Sequence, residues 1–146
     1  MVRFAIQALL IVAIFGYAMR SGGAPEKLVS SIYLVLLLIV TGSFFVPDVW
    51  PLELSQNGLY LRGSLDLLAL IAIVIVGLRF DRWWVLWVAS LQLICVWVYI
   101  LEFAEIAIHP VIFTIMERWP TWLAIFITGI ATWRHSRLQR LRNDAP

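Results

Sequence analysis

A chain of 146 residues that is 62% hydrophobic and 14% charged, with a mean hydropathy of +0.92, leaves no room for a separate soluble domain beside its apolar segments. The net charge of +2 is small and the basic residues gather at the ends of apolar runs, which argues against a nucleic-acid-binding face. Cys95 is the only cysteine, which excludes an intramolecular disulfide and any cysteine-built zinc or iron–sulfur centre within one chain.

The pattern predicts an all-α integral membrane bundle of five transmembrane helices in one domain, residues 1–146. The spans fall near residues 4–19, 28–46, 59–78, 83–103 and 111–133, and a basic cytoplasmic tail covers 134–146. A hydrocarbon core of about 30 Å needs roughly 20 apolar helical residues, so four runs qualify by length and the first qualifies with its flanks. Arg3, the apolar stretch after it and the small residues Ser21 to Ala24 have the outline of a cleavable signal peptide. The run is long, however, and Arg20 stands where small uncharged residues should lead into a cleavage site, so an uncleaved first helix is expected.

Between the first two spans, Gly22, Gly23 and Pro25 break one helix and permit a sharp return. The next connector, 47–58, carries Pro47, Pro51 and the turn dipeptide Asn57-Gly58. It reads as a folded-back surface loop with Trp50 and Leu52 at the headgroup boundary. Residues 79–82 form a tight hairpin into the fourth span. Residues 105–110 join the last two, and Pro110 suits a first helical turn. Pro120 lies inside the fifth span. A helix ended there would leave only 121–133, too short to cross, so a kink is expected instead.

Taking five spans, one side holds Arg20, Lys27, Arg79, Arg82, Arg134, Arg137, Arg140 and Arg142, and the other holds Arg3, Arg62 and Arg118. This positive-inside bias predicts an N-terminus outside and a C-terminus in the cytoplasm. Trp83, Trp84, Trp87 and Trp133 then lie near the inner boundary, and Trp50, Trp119 and Trp122 near the outer one, as an aromatic belt requires. The arginines of the tail, Arg134, Arg137, Arg140 and Arg142, are placed to contact lipid headgroups, each contributing about 1 kcal/mol near an anionic leaflet.

Few polar residues interrupt the spans. Gln92, Cys95, Tyr99 and Glu102 share one side of the fourth helix, with His109 in line if the helix persists. Such a stripe either lines a hydrated path or satisfies itself by interhelical hydrogen bonds, with Glu102 exposed. Glu102, Glu105 and His109 form an E-x-x-E-x-x-x-H pattern that would need further ligands, such as Asp66 or Glu117, to hold a metal. No metal and no cofactor is expected. Asp66 lies one to two turns inside the third span, four residues after Arg62. The pair is either a snorkelling ion pair or part of an ion or proton site, sharing an outer-leaflet cluster with Glu102 or Glu117. Glu117 and Arg118 point in different directions around the fifth helix, so one of them should reach another element or the headgroups. The candidate polar site is therefore Arg62, Asp66, Gln92, Tyr99, Glu102, Glu105, His109 and Glu117. No catalytic residue is assigned, because no nucleophile with a histidine base and no phosphate-cradling loop occurs.

Asp66, Arg82, Trp84, Leu86-Trp87 and Gln92-Leu93 resemble the corresponding segment of a group of small uncharacterised multi-pass bacterial inner-membrane proteins. The match covers about a quarter of the chain and departs from that pattern at Tyr99, where a histidine would be expected. The resemblance implies a bacterial inner membrane and no biochemical activity. The sequence thus points to a structural or accessory component of a membrane assembly, partnered by lipids and by another membrane protein or a second copy. The alternative is a small transporter or channel using Asp66 and the polar face of the fourth helix.

Overall fold

A computed structural model describes residues 2–45, 56–104 and 109–143. The residues described form five α-helices and no strand: α1 (Val2–Ser21), α2 (Ala24–Phe45), α3 (Gln56–Phe80), α4 (Trp83–Phe103) and α5 (Pro110–Asn143). Four of them are long and apolar enough to cross a membrane, namely α2, α3, α4 and α5; the apolar part of α1, Ala5–Ser21, is shorter.

Each helix packs on the next in sequence, α1 closes against α5, and α2 also touches α5 across the interior. The broadest interfaces are α3 on α4 and α4 on α5. Small residues bring the backbones together. A Cβ on Gly63 would stand 3.3 Å from the Tyr99 Cβ, and one on Gly77 would stand 3.5 Å from Val85 Cγ1, so α3 and α4 approach closely at two depths. The core between them is built from Val29, Tyr33, Ile73, Val76, Val85, Val88, Ala124 and Ile125, all buried. Outward-facing positions carry large apolar side chains such as Leu9, Leu38, Leu68, Leu78 and Ile130. That inverted surface is what a lipid solvent selects. Thr128 and Thr132 are buried, and each donates its hydroxyl to the carbonyl four residues back, so their polarity is met within α5.

The turns are tight. Between α1 and α2, the Gly22 amide donates to the Ala18 carbonyl at 2.8 Å, and a Cβ on Gly22 would come within 2.5 Å of that oxygen. Between α3 and α4 the chain reverses at Asp81, whose φ of 48° lies in the left-handed region that aspartate tolerates better than most residues.

Several boundaries differ from the sequence expectation, among them the start of α2, which lies at Ala24 rather than at 28, so that Pro25 opens a helix instead of sitting in the connector. Asn57-Gly58 lies in the first turn of α3 rather than in a loop, because α3 starts at Gln56 and Gly58 is buried. The basic segment is not set off from the fifth helix. α5 continues to Asn143, about 51 Å at 1.5 Å per residue, since Arg, Leu and Gln favour helix and nothing after Trp133 interrupts it. Pro120 lies inside this continuous helix and is buried, and Pro110 opens it. Residues Pro47, Trp50, Pro51 and Leu52 lie outside the described residues.

Candidate functional site

The start of α1, the end of α2, the start of α3, the end of α4 and the start of α5 meet at one end of the bundle, termed here the N-terminal end. A cavity of about 220 Å³ lies in that half, and all five helices contribute to its wall. Gln7 and Ile11 come from α1, and Tyr33, Leu36, Leu37 and Val40 from α2. α3 adds Arg62, Leu65 and Asp66, α4 adds Gln92 and Tyr99, and α5 adds Arg118 and Thr121.

Gln92 organises the polar wall. It is 2% exposed, and its Nε2 donates to Asp66 Oδ1 at 2.8 Å, with a longer contact of 3.5 Å to the Asp66 carbonyl. Its Oε1 accepts from the Tyr33 hydroxyl at 3.3 Å. A primary amide is suited to this place, because it donates and accepts at once and so links a hydroxyl on α2 to a carboxyl on α3 through α4. In hydrocarbon such groups cannot turn to bulk water, so their mutual pairing is what permits their burial. One turn further along α4, Cys95 Sγ lies 4.0 Å from Thr121 Oγ1 on α5. The Tyr99 ring is buried and meets Phe113 edge to face with centroids 6.0 Å apart, which holds its place between α4 and α5.

On the other side of the Tyr33–Ile11 level, α1, α2 and α5 converge. Ile14, Ser30, Ile125 and Thr128 join Ile11 and Tyr33 around a void of only about 10 Å³. The polar cavity therefore ends at mid-bundle, on a packed apolar floor.

Of the residues singled out in the sequence, Arg62, Asp66, Gln92 and Tyr99 come together on the cavity wall. Glu102 does not. It is exposed, in the last turn of α4, and does not line the cavity. His109 is exposed as well, and its Nδ1 accepts a 3.4 Å contact from the Val111 amide at the start of α5. Glu105 lies outside the described residues, as does the side chain of Glu117. Among the described residues, no three His, Cys, Asp or Glu side chains stand close enough to share a metal. Tyr33, Gln7 and Thr121 were not anticipated as site residues. Each is a single polar group inside an apolar run, and Tyr33 lies one turn from Ser30, which was the available signal.

The opposite end of the bundle holds a second polar contact region. The Tyr17 hydroxyl and Ser136 Oγ lie 2.7 Å apart and tie α1 to α5. Glu26 is 2% exposed in the first turn of α2, although the sequence placed it in a connector. A Cβ on Gly23 would stand 2.8 Å from Glu26 Oε2 and 3.2 Å from His135 Nε2, so the absence of a side chain there lets the turn fold over these two groups. Arg134 and Arg137 are exposed, and the Arg137 guanidinium lies 5.4 Å from the Trp133 ring centre; the side chains of Arg140 and Arg142 lie outside the described residues.

No known protein family, curated protein or solved structure matches the chain.

Proposed function

We propose that this is a five-span protein of the bacterial inner membrane that binds a small solute or ion in its central cavity and moves it through the bilayer, as a small transporter or channel. The observation that carries the reading is the polar wall of Asp66, Gln92 and Tyr33 around a cavity to which all five helices contribute. Polar groups are costly in the middle of an apolar bundle, and they mark ligand or ion paths when they face a cavity rather than only one another. In this reading α1 is the fifth span, and the excess of Arg and Lys places the N-terminus outside and the C-terminus inside, so the cavity lies on the outer side. The resemblance around Asp66 and 82–93 supports the inner membrane. Pro120 bends α5 at the level of Thr121, because it removes the amide that would bond to the carbonyl of residue 116.

The competing reading is an accessory subunit of a membrane assembly. Trp97 favours it: the side chain is 53% exposed six residues before the end of α4, inward of the belt where indoles normally lie, as a partner helix would require.

Reconstitution into liposomes separates the two. Gradients of potassium, chloride, phosphate and acetate are imposed across vesicles containing wild type, Asp66→Asn or Gln92→Leu, and their decay is compared with empty vesicles. The transport reading expects at least one gradient to collapse faster with wild type and more slowly with either variant. Folded wild type that leaves every gradient as in empty vesicles would overturn it in favour of the accessory role.

A further inference from the structure

We infer that the cavity takes a small amphiphilic anion: a carboxylate or phosphate head at Arg62 and Arg118, with a short apolar stem along α2. The inference rests on the cavity reading above and names the class of its ligand.

Charge is the first argument. The described side chains on the wall include two arginines and one carboxyl, that of Asp66. Arginine keeps its positive charge throughout the physiological range, so the cations outnumber the carboxyl whichever protonation state Asp66 takes. Glu102 is exposed and is not among the residues that line the cavity. An excess of guanidinium over carboxyl among the described wall groups favours an anion over a cation in a low-dielectric bundle. Guanidinium also matches carboxylate and phosphate oxygens two at a time, a geometry that chloride cannot use. Asp66 has a different part in this arrangement. Its carboxyl accepts from Gln92, which holds the amide in place, and its charge opposes that of the arginines on the same wall.

The second argument is the division of the wall by helix. Charged side chains come from α3 and α5, whereas α2 contributes Leu36, Leu37 and Val40 next to Tyr33. A ligand filling this space therefore meets hydrocarbon on one side and guanidinium on the other. Size is the third. At about 220 Å³ the cavity is smaller than the ~300–1,000 Å³ of ordinary ligand sites, which suits a few-carbon stem.

The test is equilibrium binding by calorimetry to full-length protein in phosphatidylcholine nanodiscs, against empty nanodiscs, with hexanoate, hexyl phosphate, acetate and hexylammonium as probes. Hexanoate and hexyl phosphate should bind and hexylammonium should not. Acetate should bind more weakly than hexanoate, by up to roughly fourfold for each methylene it lacks. Arg62→Gln and Arg118→Gln should each weaken hexanoate by about tenfold or more, since each removes a charge-assisted hydrogen bond. Arg62→Lys and Arg118→Lys should lose less affinity than the Gln variants, because they keep the charge without the paired geometry, and Asp66→Asn should increase it. A second series in phosphatidylglycerol nanodiscs distinguishes the source of the head. Competition by the lipid identifies a headgroup as the natural occupant, and undiminished hexanoate binding identifies a free solute. Hexylammonium binding as tightly as hexanoate would overturn the inference. So would a folded double Gln variant with wild-type affinity, or Lys variants that lose as much as the Gln variants. Binding needs no translocation, so anion binding without flux counts against transport alone, and flux without anion preference counts against this inference alone.

Discussion

Replacing Gln92 by leucine removes the group that links three helices while keeping the side chain's approximate volume. Two hydrogen bonds disappear, one of 2.8 Å to the Asp66 carboxyl and one of 3.3 Å from the Tyr33 hydroxyl. Bonds to charged groups contribute about 1.5–3 kcal/mol and neutral ones about 0.5–1.5 in soluble proteins. Interhelical bonds in membranes average only about 0.6 kcal/mol, because the unfolded helices also find partners in the bilayer. The long Tyr33 contact belongs at the weak end of that range and the short Asp66 contact above its mean, which gives about 2 kcal/mol for Gln92→Leu. Tyr33→Phe should cost only about 0.5 kcal/mol, and the double variant should lose less than the sum of the two, because both remove the same bond. The lipid-facing neighbour Leu93, half exposed, provides the control as Leu93→Ile. Reversible unfolding in mixed dodecyl maltoside and dodecyl sulfate micelles, followed by circular dichroism, measures all four. Gln92→Leu within about 0.5 kcal/mol of wild type, the scatter of surface substitutions, would refute the view that Gln92 couples α2, α3 and α4.

Gly63→Ile places a branched side chain where a Cβ already stands 3.3 Å from Tyr99, and should destabilise by about 1–3 kcal/mol, whereas Gly42→Ala, with nothing within 4 Å, should be close to neutral. Equal effects in the same unfolding assay would contradict the close approach of α3 to α4. Tyr17→Phe removes the 2.7 Å contact with Ser136 and should cost about 0.5–1 kcal/mol, with protease cleavage of the end of α5 increasing as its tie to α1 is lost. A peptide spanning residues 134–143 should partition to anionic vesicles and release as salt is raised, and equal binding to neutral vesicles would remove the electrostatic basis for its four arginines. Reporter fusions at residue 143 should be active with a cytoplasmic reporter and silent with a periplasmic phosphatase; the reverse would overturn the proposed orientation.

Membrane class and the approximate extent of the helices were legible because hydrocarbon imposes a long, uninterrupted apolar run on any spanning helix, and 28–46, 59–78, 83–103 and 111–133 each met that condition. Boundaries were less legible where polar residues continue a helix beyond the apolar zone. At Gln56-Asn57-Gly58 the turn dipeptide was outweighed by helix formation and by the packing of a buried Gly58. Beyond Trp133 the arginines and leucines simply extend α5. The order of helices around the bundle was not legible, because lipid-facing and helix-facing positions carry the same Leu, Ile and Val; only small residues such as Gly63 and Gly77 mark contacts, and they do not name their partners.

The site shows the same division. Asp66 and Gln92 stood out because their polarity has no place in hydrocarbon, and their pairing follows from that cost. Glu102 entered by periodicity alone, yet it lies near the end of α4, where a few tens of degrees of helix rotation decide between cavity and surface and where an exposed carboxylate costs little. Tyr33 was hidden because a tyrosine in an apolar run counts as hydrophobic; its hydroxyl gains significance only once it is known to reach Gln92 on α4. Arg118 was visible, but the sequence said only that it or Glu117 should reach another element or the headgroups. Its position on the cavity wall brings a second arginine to the same space as Arg62, although 56 residues separate them in sequence. Residue type alone thus suggested an outer-leaflet cluster of carboxylates with Arg62, read either as a structural ion pair or as an ion or proton site. Among the described side chains the cavity instead brings Arg62 and Arg118 to the same wall as Asp66, which is the ground for proposing an anion as its ligand.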